Sequence, residues 1–265
     1  MIKDIKEILN ELAEEIGIRK PCNMFVSTGF AQLDKILGFK LNSGSLFCLA
    51  AMPGMGKSTF MLDLLLNSAT TSDNGILYFT NELTGYQIVE QLAHKLGDAE
   101  INKSGERYDY ASLNKKCGAF SILSQLNITI VDHSKGCKNI KNILSFSKKP
   151  AMILIDGFEA ISQDFEGDFM MIRNLCKSLN IPIIISMWTE KMQGNYFRPT
   201  LSDVYPIVAK FADSVWLLHR DSYFDMGEDK IDNNPNPELI ICKNRNGEIG
   251  TIQLKFDGQT KSFIE

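Results

Sequence analysis

No apolar run in this 265-residue chain approaches the ~20 residues needed to cross a bilayer, which excludes a protein anchored by transmembrane helices. The first twenty residues, MIKDIKEILNELAEEIGIRK, hold neither an apolar core nor a small-residue cleavage site, so a secretory leader is not expected. Cysteine is sparse and scattered. Cys22, Cys48, Cys117, Cys137, Cys176 and Cys242 form no CxxC pair, which argues against a disulfide framework or a zinc site and for a reducing, cytoplasmic setting. Neither sign of charge dominates, with 28 Lys and Arg against 32 Asp and Glu and a formal net charge of -4. That balance argues against a surface coated with nucleic acid and leaves room for a local basic groove. Internal repeats, low-complexity tracts and a second-domain boundary are missing as well. What is present, 44% hydrophobic and 23% charged residues, suits one large α/β domain or such a domain with a short appendage.

Ile2, Ile5, Ile8, Leu9, Leu12 and Ile16 recur at helical spacing among Lys, Glu and Asp, which predicts an amphipathic helix over 1–20, ending before Pro21. From residue 45 onward, apolar runs at 46–51, 76–79, 128–131, 152–155, 183–185, 214–218, 239–242 and 251–256 read as strands. Helical patterns at 58–67, 86–96, 139–147 and 169–179 separate the earlier ones. Strands that are apolar throughout belong to a sheet covered on both faces, and the alternation makes it mainly parallel. The last two strands have only KNRNGEIG between them, a hairpin with its turn at Asn246-Gly247. Polar stretches at 97–112, 190–200 and 221–237 are too long for simple connections.

The clearest chemical signal follows the first strand. In AMPGMGKST, Gly54 and Gly56 let the backbone turn so that successive amides face one concavity, a cradle for phosphate oxygens formed with Pro53, Met55 and Thr59. Lys57 can reach the β- and γ-phosphates, and the Ser58 hydroxyl can ligate Mg²⁺. Asp156 ends the strand MILID, where an acid faces the ligand crevice of a parallel sheet and can hold the same ion through water. Glu82, in YFTNEL, is the candidate to orient a water beside the γ-phosphate, and Glu159 competes for that role. Without further context Glu82 would read as an acid favoured at a helix N-terminus.

The ordered set TGFAQLDKILG, AMPGMGKST, YFTNEL, ILIDGFEAI, RPTLSD, HRDSYF and KNRNGEIG resembles the RecA-fold C-terminal ATPase domain of DnaB-type replicative helicases, from about Thr28 onward. The resemblance implies an α/β P-loop fold over 21–265 with a mainly parallel sheet flanked by helices and a C-terminal antiparallel hairpin. It also implies a linker-type helix over 1–20 that docks on an adjacent subunit. ATP and Mg²⁺ would bind between subunits of a homo-oligomeric ring, often a hexamer, encircling single-stranded DNA. By motif position Glu82 would be the catalytic base and Asp156 the Walker B acid, while Lys243 and Arg245 would reach the γ-phosphate of the neighbouring subunit. Read without the family, those two cations would be a solvated hairpin.

Departures from the family pattern bear on function. Its N-terminal helical domain, which serves partners such as primase, has no counterpart in these residues. Glu159 stands where Gln is common, and Ser186-Met187 replaces Ser-Gln, so a thioether sits where an amide would donate a hydrogen bond. The segment LSDVYPIVAKFAD lacks the family's DNA-contacting arginine. Lys191, Arg198 and Lys210, with Tyr196 and Phe197 among them, are the remaining candidates to grip a single strand. Three functions therefore compete: a motor ATPase on single-stranded DNA, a nucleotide-binding regulator of a helicase partner that has lost DNA coupling, and a recombination-type ATPase, which the late K-x-R-N-G disfavours.

Overall fold

The computed structural model describes residues 26–38, 41, 44–72, 74–97, 110–132, 137–146, 149–190, 198–220 and 236–265. Six strands run parallel: β1 (Leu46–Ala51), β2 (Ile76–Thr80), β3 (Ile128–Asp132), β4 (Met152–Asp156), β5 (Ile183–Trp188) and β6 (Ser214–His219). Then β7 (Glu238–Asn244) turns back antiparallel to β6, and β8 (Gly250–Gln253) pairs antiparallel with β7. Their spatial order is β3-β2-β4-β5-β1-β6-β7-β8, so β1 lies at the centre.

Alternation along the inner strands feeds two cores, which is why those strands read as largely apolar runs. Phe47, Leu49, Tyr78, Leu154, Ile184 and Trp216 face one side, where α2 (Lys57–Thr71) and α3 (Gly85–Gly97) pack through Phe60, Leu64, Ile88 and Leu92. Cys48, Phe79, Ile155, Ile185, Met187 and Leu217 face the other. There they meet Phe158 of α6 (Phe158–Ile161), Phe169 and Ile172 of α7 (Phe165–Leu179) and Val208 of α8 (Pro206–Phe211). The motif TGFAQLDKILG builds α1 (Ala31–Ile36). Asp34 accepts the Thr28 amide at 2.9 Å, and Phe30 stacks on Phe60 with centroids 4.9 Å apart, so this segment braces α2. Two more helices, α4 (Tyr110–Leu123) and α5 (Lys138–Phe146), flank β3 in the chain.

The differences from the expected elements have local causes. Helix α7 starts four residues before the expected 169, because the Asp164 carboxylate accepts the Gly167 amide and Asp168 accepts the Ser162 hydroxyl and the Gln163 amide. Helix α4 begins inside the stretch expected as a loop; its sequence carries Gly118 and no apolar stripe. The expected strand at 251–256 is two strands. Leu254 still donates its amide to the Pro237 carbonyl at 2.8 Å, in register with β7, but Pro237 has no amide to return; the ladder ends there, and β9 (Lys255–Asp257) pairs instead with β10 (Ser262–Ile264). The β7–β8 hairpin stands, but its ladder closes at Ile241 and Gly250, wider than a tight turn at Asn246-Gly247. The amphipathic helix expected over 1–20 lies outside the described residues.

The β9–β10 hairpin is fastened to α2. Lys95 reaches Asp63 at 2.6 Å and the Lys261 carbonyl at 2.7 Å, and Asp63 also accepts the Phe263 amide. Phe263 is 2% exposed, with Phe256 and Phe60 ring centroids at 5.1 and 5.8 Å. Phe263→Ala is expected to cost about 3–5 kcal/mol of stability, as for other buried aromatics. The measurement is the shift of a chemical denaturation midpoint, and a cost under about 1 kcal/mol would mean the hairpin is dispensable to the core.

Candidate active site

The chain leaves β1 at Ala51 and enters α2 at Lys57 through a five-residue turn. Gly54 and Gly56 hold φ of 81° and 97°, a region that L side chains rarely adopt. At Gly56 space is short as well, since a Cβ there would stand 2.9 Å from the Phe263 ring. Ala51 occupies the motif's usual glycine position without strain because it is still an extended, fully buried residue of β1.

Pro53, Gly54, Gly56, Lys57, Ser58 and Thr59 line a cleft of about 480 Å³, and Glu82, Asp156, Ser186 and Trp188 complete it. Met55 does not join them; its side chain turns into the core, at 1% exposure. Lys57 lies back on the Ala51 carbonyl at 3.4 Å. Burial lowers its pKa, opposed by the carboxylates of Glu159, Asp156 and Glu82. Three acids around one ammonium leave the cleft negative, so a phosphate here would need a divalent cation beside Lys57.

Asp156 is held from both sides. Ser186 donates to Oδ1 at 2.5 Å, Tyr78 donates to Oδ2 at 2.9 Å, and the Gly157 amide donates to the Ser186 hydroxyl. Tyr78 was not among the sequence candidates; its only signal was a phenolic hydroxyl within the apolar run ILYF. The donors in the cleft suit a hard divalent ion. A serine hydroxyl and a carboxylate are oxygen ligands, and among the described residues no cluster of three or more His, Cys, Asp or Glu could hold a metal alone. An ion here would draw its remaining ligands from phosphate and water.

The two competing acids differ in how they are tied. Glu159 accepts the Trp188 amide at 2.5 Å, which spends one oxygen on the end of β5. Glu82 follows β2 and rests against Gly157. Burial first, and then Asp156, raise its pKa, with Lys57 opposing. Burial raises Glu159 likewise, with the Trp188 amide acting the other way. Glu159 is thus tied to the end of β5 by an oxygen, a bond that Glu82 does not make. Trp188, 42% exposed at the cleft, is the second residue that motif reasoning passed over.

Gly157 has φ of 70°, and a Cβ there would stand 2.6 Å from Glu82 Oε1. Gly157→Ala is expected to push the Glu82 carboxylate aside and cut hydrolysis by roughly 10²-fold, the scale of a lost general base, with the secondary structure intact. Steady-state turnover beside circular dichroism checks this. Turnover near wild type would show that Glu82 needs no such fit.

Lys243 and Arg245 lie at the other rim. Ser214 pairs with both Phe47 and Asn244, so β7 delivers these cations to the level where β1 begins. That is roughly 15–20 Å along the strands from the phosphate loop, at about 3.3 Å per residue. Lys243 donates to the Ala209 carbonyl at 2.7 Å, while Arg245 donates to the Lys210 carbonyl at 2.9 Å and Asp213 at 3.2 Å. The candidates for gripping DNA are not brought together. Arg198 is bound to Glu238 at 2.8 Å and Thr251 at 3.0 Å, beside the C-terminal end of β6. Lys210 sits over the Phe211 ring at the opposite rim, and Lys191 lies outside the described residues.

A model of the DnaB-like helicase C terminal domain matches residues 25–265. The replicative DNA helicase DnaB of Haemophilus influenzae is 28% identical over 279 residues, covering 97% of this chain and 58% of the relative. The replicative DNA helicase DnaC of Bacillus subtilis is 27% identical over 289 residues, covering 99% of this chain and 61% of the relative. The chain thus spans less than two thirds of the length of these curated relatives. Among solved structures, an ATPase domain matches with a TM-score of 0.81 at 23% identity, over 100% of this chain and 99% of that one. A DnaB-like replicative helicase, solved in a study of its interactions with primase, matches with the same TM-score and identity over 98% of this chain and 68% of that one. Among the described residues no helix is long and apolar enough to cross a membrane.

Proposed function

Because the chain belongs to the DnaB-like helicase C-terminal domain family, we propose that it is an ATP-hydrolysing motor unit of the DnaB type, acting on single-stranded DNA in replication. It comprises a RecA-like ATPase domain over 21–265 and a linker helix over 1–20, and it works in the cytoplasm as a homo-oligomeric ring, with a primase or helicase system as partner. The observation that carries this reading is the convergence of Lys57, Ser58, Glu82 and Asp156 on one cleft, with the paired cations Lys243 and Arg245 presented at the opposite rim.

In this reading the amides of 54–59 bind the β-phosphate, and Lys57 swings from the Ala51 carbonyl to the γ-phosphate. Mg²⁺ would be held by the Ser58 hydroxyl and, through water, by Asp156; when bound it neutralises phosphate charge. Tyr78 and Ser186 fix the Asp156 carboxylate in orientation. Glu82 orients the attacking water and takes its proton. Arg245, with Lys243, meets the charge developing on the γ-phosphate of a neighbouring copy, since its own phosphate loop is beyond reach.

The test is an ATPase assay with and without single-stranded DNA, with Lys57→Ala as the inactive control. DNA-stimulated turnover together with ring assembly supports a motor. If DNA changes neither rate nor oligomer size, the chain is a regulator of a helicase partner, a reading that the tethering of Arg198 and the burial of Met187 favour. If turnover persists in Lys57→Ala, the cleft is not the site.

A further inference from the structure

At the rim opposite the phosphate loop, one buried carboxylate serves two guanidinium groups. Asp213 precedes β6 and is 7% exposed. Arg173, from α7 and 6% exposed, binds both its oxygens, with one contact at 2.9 Å to Oδ1 and the other to Oδ2. The Leu46 amide donates to Oδ2 at 2.9 Å, and Arg245 donates to Oδ1 at 3.2 Å. The main chain is joined too: Asp213 donates its amide to the Leu46 carbonyl, and Arg245 donates its amide to the Asp213 carbonyl at 2.9 Å.

This arrangement sorts the two arginines. A single negative charge cannot neutralise both, so one positive charge is left at the rim. Arg173 is bidentate and buried, and it fixes the carboxylate rather than competing for solvent. Arg245 has a 45% exposed side chain and is held at one terminal nitrogen by Asp213 and at the other by the Lys210 carbonyl. Two anchors on two nitrogens define the plane of a guanidinium. A cation held in this way loses less freedom when it engages a phosphate.

We propose that Asp213, locked by Arg173, is a positioning residue that presents Arg245 to the phosphates bound by a neighbouring copy. This rests on the proposed action of Arg245 across the subunit boundary. Asp213 touches no nucleotide; it acts through Arg245.

Two variants test it. Asp213→Asn keeps an acceptor for the Leu46 amide but leaves Arg173 charged and unpaired. The double variant Arg173→Met with Asp213→Asn removes the buried charges together, and carries the test should the single variant fail to fold. Both are expected to bind nucleotide as wild type does and to turn over roughly 10- to 100-fold more slowly, the scale of a misplaced catalytic group. Subunit mixing then separates positioning from general damage. A variant that spoils only the presented arginine keeps a working phosphate loop, so it should regain turnover when mixed with Lys57→Ala and none when mixed with Arg245→Ala. Wild-type turnover of the unmixed variants overturns the proposal, as does equal recovery with both partners or with neither. The control pair is Arg245→Ala with Lys57→Ala. Failure of that pair to recover withdraws the action across the boundary itself, whereas recovery there with failure of the Asp213 variants withdraws only the role of Asp213.

Discussion

Arg245→Ala is expected to lower ATP turnover by roughly 10³–10⁵-fold, the range measured when an arginine that completes a phosphoryl-transfer site is absent. Nucleotide affinity should change far less, because every group on the binding side of the cleft is untouched. The size of the effect follows from where the charge sits. A guanidinium offers five donors, and the two contacts to Asp213 and the Lys210 carbonyl still leave donors for phosphate oxygens. Lys243 is placed differently. Its ammonium faces the carbonyls of Ala209 and Lys210, and burial, followed by the nearby Arg245 charge, lowers its pKa. Lys243→Ala should therefore cost less than Arg245→Ala. Steady-state hydrolysis beside fluorescent-nucleotide binding reads both. A loss under about tenfold for Arg245→Ala is too small for a group that stabilises the transition state.

Glu82→Gln should cost roughly 10²–10⁴-fold in hydrolysis, the usual worth of a positioned general base. Binding should be retained or tightened, since the amide removes a negative charge that faces the phosphates and Asp156. Glu159→Gln is the matched comparison. A glutamine there can still accept the Trp188 amide through its carbonyl oxygen, so the end of β5 stays in place and the loss should be small. Single-turnover hydrolysis of bound nucleotide separates chemistry from release. If Glu159→Gln proves the more damaging change, the assignment of the base is reversed.

The inner strands β1, β2 and β4 were legible because every residue in them is buried, so their apolar runs are little interrupted. The phosphate loop was legible because φ beyond +80° at Gly54 and Gly56 demands glycine, and glycine at that spacing before Lys-Ser marks the turn. Other features depend on contacts that no local pattern carries. The break after Leu254 comes where its partner Pro237 has no amide to offer the ladder, while the alternation TIQLKF continues straight through it. Helix α4 has no apolar stripe to announce it. Tyr78 reaches Asp156 from within β2 and Trp188 lines the cleft from β5, and their partners lie 78 and 29 residues away in the chain. Arg198 and Lys210 are separated for the same kind of reason. Counted along the chain they are near neighbours, but the two rims of the sheet hold them apart.

Under the proposed action of Arg245, the return of β7 across the sheet gives each copy two unlike poles, one for a triphosphate and one that supplies a cation. Copies joined pole to pole use a heterologous contact, which either closes on itself or grows as an open row. An open row always has one terminal loop with no donor, and a lone copy has nothing else. Closure therefore adds a working site without adding a subunit, so the rate per chain should rise once more when the two ends of the row meet.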